Sequence, residues 1–394
     1  MENLTSNSDI LDLAIIGGGP AGTAAALEAR RNGLSVAVWE RDRFPRDKVC
    51  GEFISFEAHP YLQNEIPGAV ALGPDIRSAE FVTDRGGSRT FRLPRPALGL
   101  SRRVLDAALW KAASTAGADV YEGEGVRRVE YLICGPRPAG TWEIESDRGT
   151  IRRSRSLIVA CGRWWAIEGL SSPAGRHEPP ARGDWIGAKA HFAGIPPRDR
   201  VEMYFFRGGY CGLAPVENGA FNVCCLVRRE QSRQLRRNAL DDFADWLVQV
   251  SHLAALEKRL QGTMQVSAVV TTAPVHLSRR GAVQNGALMV GDALGFLDPF
   301  TGEGISMALH SGRLAAKAVA RALSEGFDGH TAADIYSQSL SLAVRRSYMV
   351  AALARGLIQG PVWLPGLIMA PLPWVGKHLV RETRWRGNQG MEPG

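Results

Sequence analysis

This sequence of 394 residues lacks the usual quick signatures of a metal site, a disulfide scaffold or an export signal. Its six cysteines (Cys50, Cys134, Cys161, Cys211, Cys224, Cys225) include no C-x-x-C pair, and no histidine cluster accompanies them. A structural metal is therefore not expected, and no disulfide framework is implied. The segment Met1 to Asp9 has neither the basic nor the apolar region of a signal peptide, so a reducing cytoplasm with free thiols is the expected setting. Internal repeats and low-complexity tracts are absent, and only the tail after Arg386 reads as disordered. The net charge of +7 comes mainly from arginines that are scattered rather than alternating with aromatics. That argues against nucleic acid as a partner and for a basic surface that attracts anionic cofactors.

What is present is glycine in two places. Gly17-Gly18-Gly19-Pro20-Ala21-Gly22 follows the apolar run Leu11 to Ile16, and Glu40 lies 18 residues beyond Gly22 at the end of a second strand, Leu34 to Trp39. In such a βαβ unit Gly17 permits the tight turn, Gly19 lets backbone approach a pyrophosphate, and Gly22 lets helix lie on strand. The helix N-terminus presents partial positive charge to phosphate, and the acid accepts ribose hydroxyls. Glu40 disfavours a 2′-phosphate, which leaves FAD or NAD.

The second segment, Gly291-Asp292 through Pro299, Gly302, Gly304 and Ile305, follows the buried run Ala287 to Val290. Asp292 suits a ribitol hydroxyl, and the helix Ile305 to Leu323 would turn its first amides to a flavin ring, where a helix N-terminus stabilises an anionic reduced flavin. Two phosphate-type turns in one chain favour one long dinucleotide, FAD. No second nucleotide fold is evident, so NAD(P)H would dock transiently as donor, or an electron-donor protein would serve.

The fold class expected is α/β: a Rossmann-like FAD-binding domain interleaved with an antiparallel β-sheet substrate domain, plus a C-terminal helical segment. The FAD-binding domain takes 1–77, 98–180 and 276–340; the substrate domain 78–97 and 181–275; the C-terminal lid and tail 341–394. Ile186 to Phe192, Val201 to Phe206, Gly212 to Pro215 and Ala220 to Val227 read as antiparallel strands. Asn238 to Leu260 reads as one helix and Val266 to Thr272 as a strand. The uncharged stretch Gly356 to Gly376 is long enough to span a bilayer, but Pro361, Pro365, Pro371 and Pro373 would break it. It reads as a broken apolar layer that covers a greasy pocket or dips into a membrane surface, giving peripheral contact with the inner membrane face as an alternative to a purely cytoplasmic location.

Gly17 to Gly22, Glu40, Ser101-Arg102-Arg103-Val104-Leu105-Asp106 and Gly291 to Ile305 resemble the FAD signatures of the flavoprotein superfamily that contains p-hydroxybenzoate hydroxylase. Lys48-Val49-Cys50-Gly51-Glu52, and Gly302 to Ile305 with Ser311-Gly312-Arg313, resemble the geranylgeranyl reductase family within it. The resemblance implies that Arg102 contacts the phosphate–ribose region, Asp292 the pyrophosphate–ribitol region, and Cys50-Gly51 the flavin ring. Arg41 and Lys48 beside those motifs, and Val126, complete the expected cofactor set with Gly17, Gly19, Pro20, Ala21, Gly22, Glu40, Arg102, Gly291, Asp292, Pro299, Gly302, Gly304 and Ile305. Tyr210 to Pro215 keeps the Tyr and Pro of that family's Y-x-W-x-F-P motif but has Gly212 and Ala214 for its aromatics, which implies a differently shaped pocket. The hydroxylase A-D-G segment falls at Ala160-Cys161-Gly162 without its aspartate, and the halogenase W-x-W-x-I-P motif is absent, Trp164-Trp165 having the wrong spacing.

The expected activity is oxidoreduction of an apolar small molecule, isoprenoid or polyketide-like, by flavin hydride transfer to a C=C bond. The alternatives are a flavin monooxygenase working through a C4a-hydroperoxide and, from another class, an FAD-stabilised protein that binds membrane surfaces. Cys50, Glu52 and Tyr210 are the candidate proton donors. Arg46 and Lys48 would lower the Cys50 pKa, or Cys50 packs under the ring. Glu52 is a proton relay or a surface partner of Arg46; Tyr210 orients substrate or fills the sheet. His59, His191 and His310 read as isolated structural residues, and Cys224-Cys225 as core.

Overall fold

The computed structural model describes residues 10–83, 87–133, 140–163, 166–170, 185–232, 242–275, 281–295 and 302–341. The lid at 341–394 thus lies outside the described residues except for its first, as do Pro299, Cys134 and Trp164-Trp165.

The chain opens with β1 (Ile10–Ile16), α1 (Pro20–Arg31) and β2 (Val36–Glu40). Then come β3 (Phe53–Ile54), α2 (His59–Glu65), α3 (Pro67–Val70), β4 (Asp75–Thr83) and β5 (Ser88–Gly99). It returns through α4 (Arg102–Thr115), β6 (Asp119–Glu122), β7 (Val126–Ile133), β8 (Gly140–Ser146) and β9 (Ile151–Val159). The middle holds β10 (Trp185–Ala193), β11 (Arg200–Phe206), β12 (Gly209–Pro215), β13 (Phe221–Arg228) and α5 (Arg229–Ser232). It continues with α6 (Phe243–Ser251), α7 (Ala254–Leu260), β14 (Met264–Gln265) and β15 (Val270–Val275). Last come β16 (Val283–Gln284), β17 (Ala287–Met289) and α8 (Gly304–Ser324).

Two sheets result. In the first, with order β16-β17-β9-β1-β2-β6, strands β17, β9, β1, β2 and β6 run parallel. The β7–β8 hairpin extends it through β9. β1 is central, and its Leu13 to Ile16 are buried because both faces are covered. One cover is α1, whose small residues bring two backbones close. A Cβ on Gly22 would stand 1.8 Å from the Gly17 carbonyl, and one on Gly312 of α8 would stand 2.0 Å from the Ala21 carbonyl. Thus α8, from late in the chain, lies on α1 almost backbone to backbone.

The second sheet has order β14-β10-β13-β12-β11-β4-β5-β3, with β15 on β10. Its β4–β5 hairpin comes from before α4, and β4 joins β11 in parallel register, Arg200 against Ser78. Period-two alternation separates its faces. Ala188, Ala190, Phe192, Cys211, Leu213, Val223, Cys225 and Val227 pack under α6 and α7 with Phe243, Trp246, Leu247 and Leu256. The opposite face carries Lys189, His191, Asn222 and Tyr210.

Two expectations need correction. Asn238 to Leu260 is not one helix: 238–241 lie outside the described residues, Asp242 caps α6 by accepting from the Asp245 amide, and His252 ends it in the left-handed region at φ 54°. The break lets two short apolar stripes, one on each helix, lie on the same sheet. Val266 to Thr272 is likewise not a continuous strand, because β14 and β15 pair separately with β10.

Gly312→Ala should therefore destabilise the protein by about 1–3 kcal/mol, since the added methyl has to push α8 off α1. Urea unfolding checks this: a lower midpoint with an unchanged m-value is the expected outcome.

Candidate active site

The turn after β1 is built as its glycines require. Gly17 adopts φ 108°, and its amide donates to the Trp39 carbonyl at 2.8 Å. α1 begins with Pro20 after Gly19, with no side-chain cap and no acid in its first turn, so its leading amides keep their capacity for an anion. By contrast α4 is capped by Ser101, which accepts from the Val104 amide. Arg102 is held by both carboxylate oxygens of Asp106 at 2.7 Å each. Its Nη2 is the sole atom within 4 Å of where a Gly19 Cβ would stand, at 3.9 Å. The guanidinium thus faces the turn.

Glu40 ends β2 as expected, with its Oε2 accepting from the Gly18 amide at 2.8 Å. Its partner was not foreseen. Arg46 donates to both Glu40 oxygens, at 2.7 and 2.9 Å, and to Asp42; Lys48 pairs with Asp42 at 2.9 Å. Neither basic residue therefore serves Cys50 or Glu52. Arg41 is exposed, and its Cβ stands 3.4 Å from where a Gly125 Cβ would lie, near half-buried Val126.

The second glycine segment arrives at the same place. Gly291, at φ 58°, is held by its amide to Ser311 Oγ at 2.9 Å, and a Cβ on it would meet the Ala21 Cβ at 3.0 Å. Asp292 is partly exposed, 3.8 Å from Arg163 Nε, and its charge is one of those that raise the Arg102 pKa against the opposing effect of burial. A Cβ on Gly302 would collide with the Phe53 ring at 2.9 Å, and Ser306 of α8 shares a 2.9 Å hydrogen bond with Ser55. Buried Ile305 follows Gly304 at the uncapped start of α8.

Three glycines test whether a cofactor fits. Gly19, Gly51 and Gly304 have no positive φ, and among the described residues no atom lies within 4 Å of a would-be Cβ on Gly51 or Gly304. Neither conformation nor packing against the described residues demands glycine there. A ligand filling that space would, and the donors around it (two uncapped helix starts and Arg102) suit a pyrophosphate-linked group.

Beside this cradle lies a cluster of charge that sequence reading missed. Glu52 is completely buried, at φ 56°. Its Oε1 accepts from Lys189 Nζ and from the Arg102 amide at 2.8 Å, and its Oε2 lies 2.6 Å from His191 Nε2. Lys189 Nζ is also 3.2 Å from Asp47 Oδ1. Asp47, Glu52 and His191 together have the makings of a cation site, but the Lys189 ammonium already stands among them. Burial would raise the Glu52 pKa; the His191 hydrogen bond and the Lys189 charge override it and hold the carboxyl below its ordinary value. Glu52 is therefore neither a surface partner of Arg46 nor a proton donor at neutral pH. His191 is not isolated. The signal available was polar Lys189 and His191 alternating with apolar residues inside a strand.

Cys50 is also corrected. Burial pushes its thiol up, with Glu52 adding to the shift and Arg102 opposing it, so it keeps its proton at neutral pH instead of forming a thiolate. Its carbonyl accepts from Asn222 Nδ2 at 2.9 Å. Cys224 shares the face of Asn222, not the core with Cys225. Burial pushes Cys161, in the position of the missing aspartate, up to about 12. His310 is lowered to about 4 by burial and Arg313, and is neutral at physiological pH. Tyr210 packs with Met203, Leu226 and Val275 on the Lys189 face, against Phe205, Phe81 and Trp185.

Glu52 is ionised in the folded protein at a pH where the unfolded chain still binds a proton, so its stabilisation is complete above the ordinary carboxylate range and is lost as pH falls. Below about pH 4.3 the wild type should lose stability more steeply than E52Q in acid unfolding curves. Alanine at Gly19, Gly51 or Gly304 should leave apoprotein stability within about 0.5 kcal/mol. The same variants should weaken FAD binding by about tenfold or more in fluorescence titration; undiminished affinity would show that the space is not the cofactor's.

A family profile described as FAD dependent oxidoreductase matches residues 12–45. Conditioned medium factor receptor 1 of Dictyostelium discoideum is 28% identical over 353 residues, 81% of this chain, which spans only 65% of that protein's length. A digeranylgeranylglycerophospholipid reductase of Methanosarcina mazei is 26% identical over 341 residues, covering 81% of this chain and 77% of the relative. A menaquinone reductase of Mycolicibacterium smegmatis is 28% identical over 380 residues, covering 89% and 87%. Among solved structures, a flavin-dependent brominase superposes with a TM-score of 0.75 at 20% identity, covering 94% of this chain and 93% of its own. A geranylgeranyl bacteriochlorophyll reductase-like protein of Thermoplasma acidophilum gives 0.73 at 20% identity, covering 95% and 96%. Fold, cradle and relatives agree: the chain is similar to FAD-dependent oxidoreductases, geranylgeranyl reductase-like flavoproteins among them.

Proposed function

We propose that this oxidoreductase reduces a carbon–carbon double bond in an apolar small molecule of isoprenoid or polyketide-like character. The observation that carries the reading is one sheet face. The apolar wall of Phe81, Met203, Phe205, Tyr210, Leu226 and Val275 is continuous with the Lys189, His191 and Asn222 side chains that touch Glu52 and Cys50. An apolar chain lying on that wall would bring one end to the Gly51 side of the cradle. The names of the archaeal and mycobacterial relatives, reductases of a geranylgeranyl lipid and of menaquinone, point the same way.

FAD, when bound, supplies the hydride chemistry. Gly17, Gly19, Gly22, Arg102, Asp292 and the α8 N-terminus would hold it, and Cys50-Gly51 would flank its ring. The wall excludes water and aligns the alkene. The proton has two sources on this face, the Cys50 thiol, which stays protonated, and the Tyr210 hydroxyl; Glu52, held as carboxylate, is not one. In this reading 1–77, 98–180 and 276–340 form the cofactor domain, 78–97 and 181–275 the substrate domain, and 341–394 the C-terminal lid and tail, which covers the pocket or else meets a membrane surface. Electrons come from NAD(P)H or a donor protein. No helix among the described residues is long and apolar enough to cross a membrane.

Anaerobically photoreduced holoprotein mixed with a menaquinone or a geranylgeranyl lipid should return to the oxidised flavin spectrum and yield a product two hydrogens heavier by mass spectrometry. Cys50→Ala with Tyr210→Phe should slow that step by about 100-fold or more, in the range of lost general acid catalysis. Reoxidation only by oxygen, with an oxygenated product, would overturn the reading in favour of monooxygenation.

A further inference from the structure

Glu52 combines three features that packing alone does not call for. It is a non-glycine residue in the left-handed region, at φ 56°, in the turn immediately after Gly51. It is completely buried, and so is its partner Lys189. A buried ion pair is a poor source of stability compared with apolar residues of the same volume, so its presence asks for another explanation.

The contacts supply one. Both side-chain partners of the Glu52 carboxylate, Lys189 and His191, stand two residues apart on β10 of the second sheet. Asn222 on neighbouring β13 takes the Cys50 carbonyl at 2.9 Å, and the Glu52 amide donates to the Cys50 sulfur at 3.4 Å. The turn carrying Gly51 is therefore pinned from the second sheet, while no described atom lies within 4 Å of where a Gly51 Cβ would stand. The same carboxylate accepts from the Arg102 amide at 2.8 Å, in the first turn of α4. A second carboxylate, Glu217 between β12 and β13, takes the Ser101 amide at 2.9 Å and the Ser101 hydroxyl. The first turn of α4, which aims Arg102 at Gly19, is thus gripped by two acids, one on the second sheet and one tied to it.

We propose that Glu52 is a positioning residue, a buried clamp through which Lys189 and His191 of the substrate-side sheet fix both the Cys50-Gly51 turn against the flavin ring and the α4 turn that presents Arg102 to the phosphates. This rests on the reading above that Cys50-Gly51 flanks the ring. Glu52 itself touches neither substrate nor cofactor.

The test compares E52Q, K189M and E52Q/K189M by thermal melting of apoprotein, FAD titration and visible circular dichroism of the bound flavin. Each single variant takes from a buried charge one of its partners, leaving Lys189 with Asp47 alone or Glu52 with His191 and the Arg102 amide, and should melt lower. The double variant removes both charges and should regain the wild-type melting temperature, yet bind FAD about tenfold or more weaker, with an altered flavin dichroism, because a charged hydrogen bond to the clamp is gone. A double variant whose affinity and dichroism return with its melting temperature would reduce the cluster to a structural ion pair and overturn the proposal. Should a variant not fold, hydrogen exchange on the wild type decides: the Arg102 amide has to be protected in apoprotein and holoprotein alike, and free exchange in either overturns the clamp. A wild type that binds FAD but does not reduce alkenes would sink the proposed activity and leave this inference standing.

Discussion

The closeness of α8 to α1 is the constraint on which the rest of the molecule depends. At Ala21 the backbone carbonyl of one helix and the Cα of Gly312 in the other are nearly in van der Waals contact, and Gly291 sits against the Ala21 methyl. Any side chain at Gly312 would separate the helices. With them together, two uncapped helix starts from distant parts of the chain open on one cradle, and Asp292 comes near enough to Arg102 for their charges to interact. A dinucleotide needs both ends held at once. Small residues at one helix crossing provide for that.

The second sheet is divided by its alternation into two unlike surfaces. One is a conventional core under α6 and α7. The other is apolar at the Phe81–Tyr210 end and charged at the Lys189–His191 end, where it meets the 47–52 segment. The proposed reduction of a greasy substrate would use that division, because the chain of such a substrate needs a dry wall while the cofactor edge needs fixed charge and hydrogen bonds. Buried Lys189 is tolerable only because Glu52 and Asp47 surround it.

Much of the geometry of the first glycine turn was legible in the sequence because its demands are local. A tight turn, a close helix approach and an acid at a strand end each leave a mark within a few residues, at Gly17, Gly22 and Glu40. The charged cluster was not legible for the opposite reason. Alternation in Ile186 to Phe192 says that Lys189 and His191 share a face, but nothing in it says that this face meets Glu52, more than a hundred residues earlier in the chain. Arg46 shows the same limit: proximity in sequence suggested Cys50 and Glu52, while the folded chain gives it to Glu40 and Asp42. The helix over Asn238 to Leu260 failed because apolar periodicity survives across a single left-handed residue, His252.

The crossing of α1 by α8 also bears on the order of synthesis. The small, alanine-rich flank of α1 leaves the ribosome well before the surface that covers it, which is made nearly three hundred residues later. Translation at about 5–20 residues per second leaves that flank bare for tens of seconds. The opening βαβ unit therefore cannot complete itself as it emerges; it waits for a late helix, and a nascent chain held in that state is the form of this protein most in need of a chaperone.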